Sequence, residues 1–203
     1  MKPPDWLYRR TRLLNMLHFL RVAKGHSQMT EEEKIALKKY AFDKERALEI
    51  GTYMGVSANL IAKALIPKGV LYCVDPFLDR KGKKNPGWAI AERDLERNKV
   101  RNKVTILRGF SSDPLIQVQI PDELDFIFVD GDHSYEGLAN DWQIVKQKLK
   151  LNGEVCLHDT LIPAKEPYRN FGSVQYFQDI IKLDTKFNLI DQCYSMTVLK
   201  KII

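Results

Sequence analysis

Apolar and polar positions along this chain fall into two alternating patterns. Short apolar runs sit at residues 47–50, 70–74, 104–108, 126–129 and 155–158, and each predicts a strand. The run Phe126-Ile127-Phe128-Val129 is apolar throughout, as a strand covered on both faces requires. Between the runs lie segments with helical spacing. Residues 57–65 form one, ended by Pro67 and Gly69, and residues 87–99 form another. Residues 137–149 carry the stripe Leu138, Trp142, Val145 and Leu149, with Asn152-Gly153 as the expected stop. A helix from Gly172 to Ile181 precedes two expected strands at 187–191 and 195–201, joined as a hairpin. Strand–helix alternation of this kind predicts an α/β domain, a parallel sheet with helices on both faces and an antiparallel hairpin at one edge.

The first 45 residues do not follow that alternation. Leu7, Leu13, Leu14, Leu17 and Leu20 recur at roughly helical spacing, and Thr30-Glu31-Glu32-Glu33 reads as a capping box opening a helix to about Tyr40. The division expected is an N-terminal helical appendage at 1–45, serving as a lid or a dimer contact, and a main domain at 46–203.

Composition narrows the class without choosing a function. The chain has 203 residues, 44% of them hydrophobic and 29% charged, which suits one soluble globular domain. No apolar run approaches the ~20 residues of a membrane span. Arg9, Arg10, Arg12, His18 and Arg21 break up the N-terminus, so it lacks the core of a signal peptide. Of three cysteines, Cys73 and Cys156 fall in expected strands, and no C-x-x-C occurs. They read as reduced thiols in a cytoplasmic protein. The net charge of +6 is spread over basic clusters at 9–21, 80–84 and 146–150. A solvated basic face explains them more simply than an anionic partner does.

The carboxyl ends of the strands carry the chemistry. The first ends Glu49-Ile50-Gly51-Thr52-Tyr53-Met54-Gly55, the second at Asp75, and the third runs into Gly109-Phe110-Ser111-Ser112-Asp113. The fourth ends Asp130-Gly131-Asp132-His133, and the fifth His158-Asp159. In open α/β sheets this edge is where ligands bind. Gly51 would let the backbone approach a ligand, and Gly55 would allow close strand–helix packing. The turn is not the G-x-G-x-x-G cradle, and Glu49 would repel a phosphate. Asp75 is placed to accept two ribose hydroxyls. An acid before the turn and another at the second strand describe a nucleoside without a pyrophosphate, and S-adenosylmethionine fits.

With these strand ends the chain resembles the class I S-adenosylmethionine-dependent methyltransferases, from about Ala47 onward. The segments Val129-Asp130-Gly131-Asp132-His133-Ser134-Tyr135-Glu136-Gly137 and Leu151-Asn152-Gly153-Glu154-Val155-Cys156-Leu157-His158-Asp159 are similar to a branch of bacterial sugar and natural-product O-methyltransferases and cephalosporin-hydroxylase-like proteins. The resemblance implies a Rossmann-like, doubly wound, mostly parallel seven-stranded sheet. It implies that Glu49, Gly51 and Gly55 hold the methionine and ribose portion of the cofactor, Asp75 the ribose, Ser111 and Ser112 the adenine border, and that Asp130 faces the cofactor or a metal. Relatives often have an acid where this chain has Phe110. Several members bind Mg²⁺ through residues matching Asp130 and an acidic pair at the fifth strand. Here that pair is His158-Asp159, which suits an all-oxygen Mg²⁺ shell poorly and leaves a softer divalent ion or none.

Methyl transfer is an in-line displacement at a sulfonium, so the protein must align the acceptor and manage its proton. Asp132 is the preferred base and His133 the alternative, histidine being the residue type whose unperturbed pKa lies nearest neutrality. The leading expectation is O-methylation of a small-molecule hydroxyl. A nucleic-acid methyltransferase would use the basic clusters, but no Asn-Pro-Pro-Tyr-type motif is present. A non-catalytic cofactor-binding scaffold would leave Asp130–His133 without a task. A homodimer is compatible with the N-terminal helices.

Overall fold

In the computed structural model, residues 11–78 and 85–203 are described, without the side chains of 11 and 12. Leu7, Arg9, Arg10 and the basic cluster at 80–84 lie outside the described residues. Seven strands form one sheet in the order β3-β2-β1-β4-β5-β7-β6. They are β1 (Arg46–Ile50), β2 (Val70–Val74), β3 (Val104–Leu107), β4 (Leu124–Val129), β5 (Leu149–Leu157), β6 (Phe187–Cys193) and β7 (Met196–Lys201). The first five pair in parallel. The doubly wound architecture expected from the alternation is present. The hairpin adds the expected antiparallel edge. β7 runs antiparallel to both β5 and β6 and lies between them, so β6 forms the edge.

The helices are α1 (Thr11–Phe19), α2 (Glu31–Ala41), α3 (Val56–Ala64), α4 (Gly87–Arg97), α5 (Pro114–Gln117), α6 (Tyr135–Lys148) and α7 (Gly172–Asp179). Side chains alternate across each strand, and the two faces bury different sets. Leu48, Ile50, Ile127 and Val129 pack with Leu138, Trp142 and Val145 of α6 and with Phe177 of α7. Ala47, Phe126, Phe128 and Cys73 pack with Leu37 of α2, Ile61 of α3 and Leu95 of α4. Trp142 and Phe128 are fully buried, each contributing on the order of 2–3 kcal/mol by removal from water. All six residues of β4 are buried, as its apolar run demands.

Two local readings change. Asn152-Gly153 does not stop α6, which ends at Lys148. The pair lies inside β5, where Asn152 has a φ of 63° and the β4–β5 register shifts. Gly55, at a φ of +75°, packs against a helix rather than a strand: a Cβ there would sit 2.8 Å from the Ala91 Cβ of α4.

The capping box at α2 forms as read. Glu33 N donates to Thr30 Oγ1, and Glu33 Oε2 accepts from Thr30 N at 2.7 Å. α2 shares the core cluster of α3 and β5, whereas α1 packs on α4 through Leu14 and Ile90. Thr30→Ala should lower unfolding free energy by about 1 kcal/mol, the usual value of an N-cap, with an unchanged denaturant m-value.

Candidate active site

The strand ends open on one cleft of about 870 Å³ at the carboxyl edge of the sheet. Gly51, Thr52, Asp75, Ser111, Ser112, Asp130, Asp132, His133, His158 and Asp159 all line it. Asp75 Oδ2 accepts from Tyr53 N at 2.7 Å and Oδ1 from Phe77 N at 2.5 Å, so the end of β2 is tied to the turn after β1. Burial pushes the Asp75 pKa up despite those bonds. Glu49 does not line the cleft. It is fully buried, with Oε2 accepting from the Cys73 thiol at 3.4 Å and Oε1 unpartnered. Burial raises its pKa to about 7, against the pull of the nearby Ser57, Cys73 and Thr52 side chains. Ser111 faces the cleft and donates to Asp141 Oδ1 at 2.6 Å, while Phe110 keeps 57% of its surface exposed on the cleft rim.

At the other end the acids and imidazoles form a chain. His158 is buried, with Nδ1 2.9 Å from Asp130 Oδ1 and Nε2 3.4 Å from Glu33 Oε1. Neither contact has hydrogen-bond alignment, so the pairing is one of charge. Burial opposes protonation of His158, but Asp130, Glu33 and Asp159 override it and hold its pKa well above the usual value. Glu33 is correspondingly held at about 2: burial opposes ionisation, and His158, Ser195 and the Thr30 N–H outweigh it. His133 Nε2 stands 3.9 Å from Asp130 and 3.7 Å from Asp159 Oδ2, and its ring stacks on Phe171. Asp132 is exposed, its two oxygens accepting from Ser134 N and Oγ at the start of α6. The N-cap of α6 is Ser134, not His133.

Residues 48–160 match the family model described as a methyltransferase domain. The chain belongs to that methyltransferase family. Among curated proteins none matches this methyltransferase by sequence. Its fold is shared by the O-methyltransferase TomG of Streptomyces achromogenes, solved with SAM. That pair has 17% identity and a TM-score of 0.68, with 100% of this chain and 92% of that one covered. It is shared by the Bacillus cereus O-methyltransferase solved with SAH, at 16% identity and a TM-score of 0.63, covering 99% and 92%. The SAH-bound Podospora anserina methyltransferase PaMTH1 is similar at 19% identity and a TM-score of 0.65, covering 100% and 90%.

Asp130, His158 and Asp159 do come together in this methyltransferase, but they do not fit a divalent ion. Arg169 pairs with Asp159 Oδ1 and with Glu166, which already satisfies the acid. His158 faces carboxylates through both ring nitrogens, and their charge holds its pKa up, so a proton competes with a metal for this imidazole. Among the described residues, no group of three or more His, Cys, Asp or Glu side chains is placed to hold a metal ion.

Sequence reasoning missed two site residues. Glu33 was readable as half of a capping box, but nothing local revealed that its other oxygen accepts from Ser195 N and Oγ and faces His158. Asp141 carried a usable signal: it stands three residues after Leu138 and four before Val145, an acid on the apolar stripe of α6. It is 3% exposed, and burial raises its pKa to about 6. Among the described residues the cysteines are free, and no helix is long and apolar enough to cross a membrane.

The Glu33–His158 pair predicts a pH signature. The depressed Glu33 pKa gives stability that is complete above about 4.5 and lost as pH falls towards 2. Glu33→Gln removes one of the carboxylates facing His158, leaving Asp130 and Asp159, and should cost on the order of 1–3 kcal/mol near pH 6. Chemical denaturation should show the gap to wild type narrowing below pH 4.5.

Proposed function

We propose that this methyltransferase uses S-adenosylmethionine to methylate a hydroxyl group of a small molecule. The observation that carries the reading is that the glycine turn, Asp75 and the Asp130–His133 segment open on one cleft of about 870 Å³. That volume suits a nucleoside cofactor beside a small acceptor. The residues present fit the cofactor. Thr52 Oγ1, on the cleft wall at the glycine turn, is buried without a hydrogen-bond partner. Buried polar atoms of that kind call for a polar ligand or water. Gly51, Thr52 and Ser57 would hold the amino-acid portion, Asp75 the ribose, and Ser111 with Ser112 the base. Each Asp75 oxygen accepts one backbone N–H and retains capacity for a hydroxyl.

When bound, S-adenosylmethionine supplies an electrophilic methyl and a neutral leaving thioether. The protein orients the acceptor hydroxyl and takes its proton. Of the two candidates for that proton, His133 suits the task better than Asp132, whose oxygens are engaged by Ser134. His133 is open to the cleft, with Nε2 3.9 Å from Asp130 and 3.7 Å from Asp159. Phe171 holds the ring plane. No step requires a metal ion, because the strand-five pair is neutralised by Arg169 and its own histidine.

A nucleic-acid acceptor has less support. Arg93 and Arg97, next to the basic N-terminal segment, bond Asn15 and the His18 carbonyl rather than stand free. The acceptor is therefore proposed as a small molecule, and the cytoplasm as the location of the reaction.

Transfer of a radiolabelled methyl group to a panel of hydroxylated sugars and aromatics tests this reading. His133→Ala should lower kcat by 10²-fold or more while S-adenosylhomocysteine affinity stays within about threefold, the pattern of a lost general base. Asp75→Ala should weaken S-adenosylhomocysteine binding by about tenfold or more. Wild-type rates should be unchanged after treatment with EDTA. Rates that collapse on chelation and return with Mg²⁺ would contradict the metal-free chemistry.

A further inference from the structure

Strand order fixes the order of subsites along the cleft. Passing from β3 through β2, β1 and β4 to β5, the edge presents Ser111, Asp75, Gly51, Asp130 and Asp159. A nucleoside whose ribose sits at Asp75 and whose tail runs to Gly51 directs its base towards the end of β3. The residue there with the largest side chain is Phe110, which has no group to hydrogen-bond a base edge.

An acid reaches the same place from another element. Asp141, on α6, lines the cleft and is 3% exposed. Its Oδ1 accepts from Ser111 Oγ at 2.6 Å. Its Oδ2 lies beside Gly131, 3.2 Å from where a Cβ on that glycine would be, and has no hydrogen-bond partner among the described residues. Fastening the Ser111 loop uses only one oxygen, and an asparagine would do it equally well. A carboxylate oxygen left without a partner in the cleft wall, on the side chain that also binds Ser111, is an acceptor free for a donor on a ligand.

We propose that Asp141 is the residue that selects adenine, its second oxygen accepting from the exocyclic amino group of the base. This rests on the cofactor reading above and supplies the acid that Phe110 does not. The carboxylate comes from the helix after β4, and the Ser111 hydroxyl holds it in place.

The test is a cycle between residue and ligand. S-adenosylhomocysteine and its 6-deamino analogue, which lacks only the amino group, are titrated calorimetrically into wild type, Asp141→Asn and Asp141→Ala. Removing the amino group should cost wild type at least ~10-fold in affinity, as for a hydrogen bond to a charged group, and each variant less than about threefold. Asp141→Asn keeps an acceptor for Ser111, so a loop that merely came loose would show in the alanine variant alone. The same loss in wild type and both variants would overturn the assignment while leaving the cofactor reading intact. Failure of wild type to bind S-adenosylhomocysteine would overturn both. Thermal melts confirm that each variant is folded, and either folded variant suffices for the cycle.

Discussion

The site depends on one close approach of two strand ends. Gly51, just after β1, has a φ of +93°, and a Cβ on it would lie 2.0 Å from the carbonyl oxygen of Asp130. No L-residue with a side chain fits there without moving β4. The absent methyl lets the end of β1 nest against the end of β4, with Asp130 N donating to Ile50 O at 2.8 Å. That contact sets the glycine turn and the Asp130–His133 segment side by side on one cleft. The cofactor half and the acceptor half of the proposed reaction are adjacent because of it.

Around that contact the charges are arranged to satisfy each other. Asp130 and Asp159 would repel if left alone in a buried corner. His158 and Arg169 compensate them, and Glu33 completes the balance from α2. Glu33 also caps α2 and holds the β6–β7 turn through Ser195. One carboxylate thus links the N-terminal region, the hairpin and the catalytic edge. Its unusually low pKa is the electrostatic signature of that position.

Much of this was legible in the sequence, for physical reasons that can be named. Strands buried on both faces must be apolar throughout, so Phe126–Val129 announced β4, and the polar groups at its end marked the candidate site. The capping box at Thr30 is a local device, complete within four residues, and formed as read. What escaped were features made by tertiary contact. The insertion of β7 between β5 and β6 depends on pairing across the sheet, which hairpin spacing does not encode. Asn152-Gly153 carries the chemistry of a helix stop, yet serves as a kink within β5, because the helix had already ended at Lys148. The pairing of Arg169 with Asp159 spans a loop of no regular pattern, and it engages the acid that the His158-Asp159 motif offered to a metal.

The central claim is that the joined strand ends form a nucleoside cofactor site. Calorimetric titration of S-adenosylhomocysteine into the wild-type protein, in metal-free buffer, tests it most directly. The account predicts saturable binding of one ligand per chain at micromolar concentration. Absence of saturable binding at millimolar ligand would contradict it.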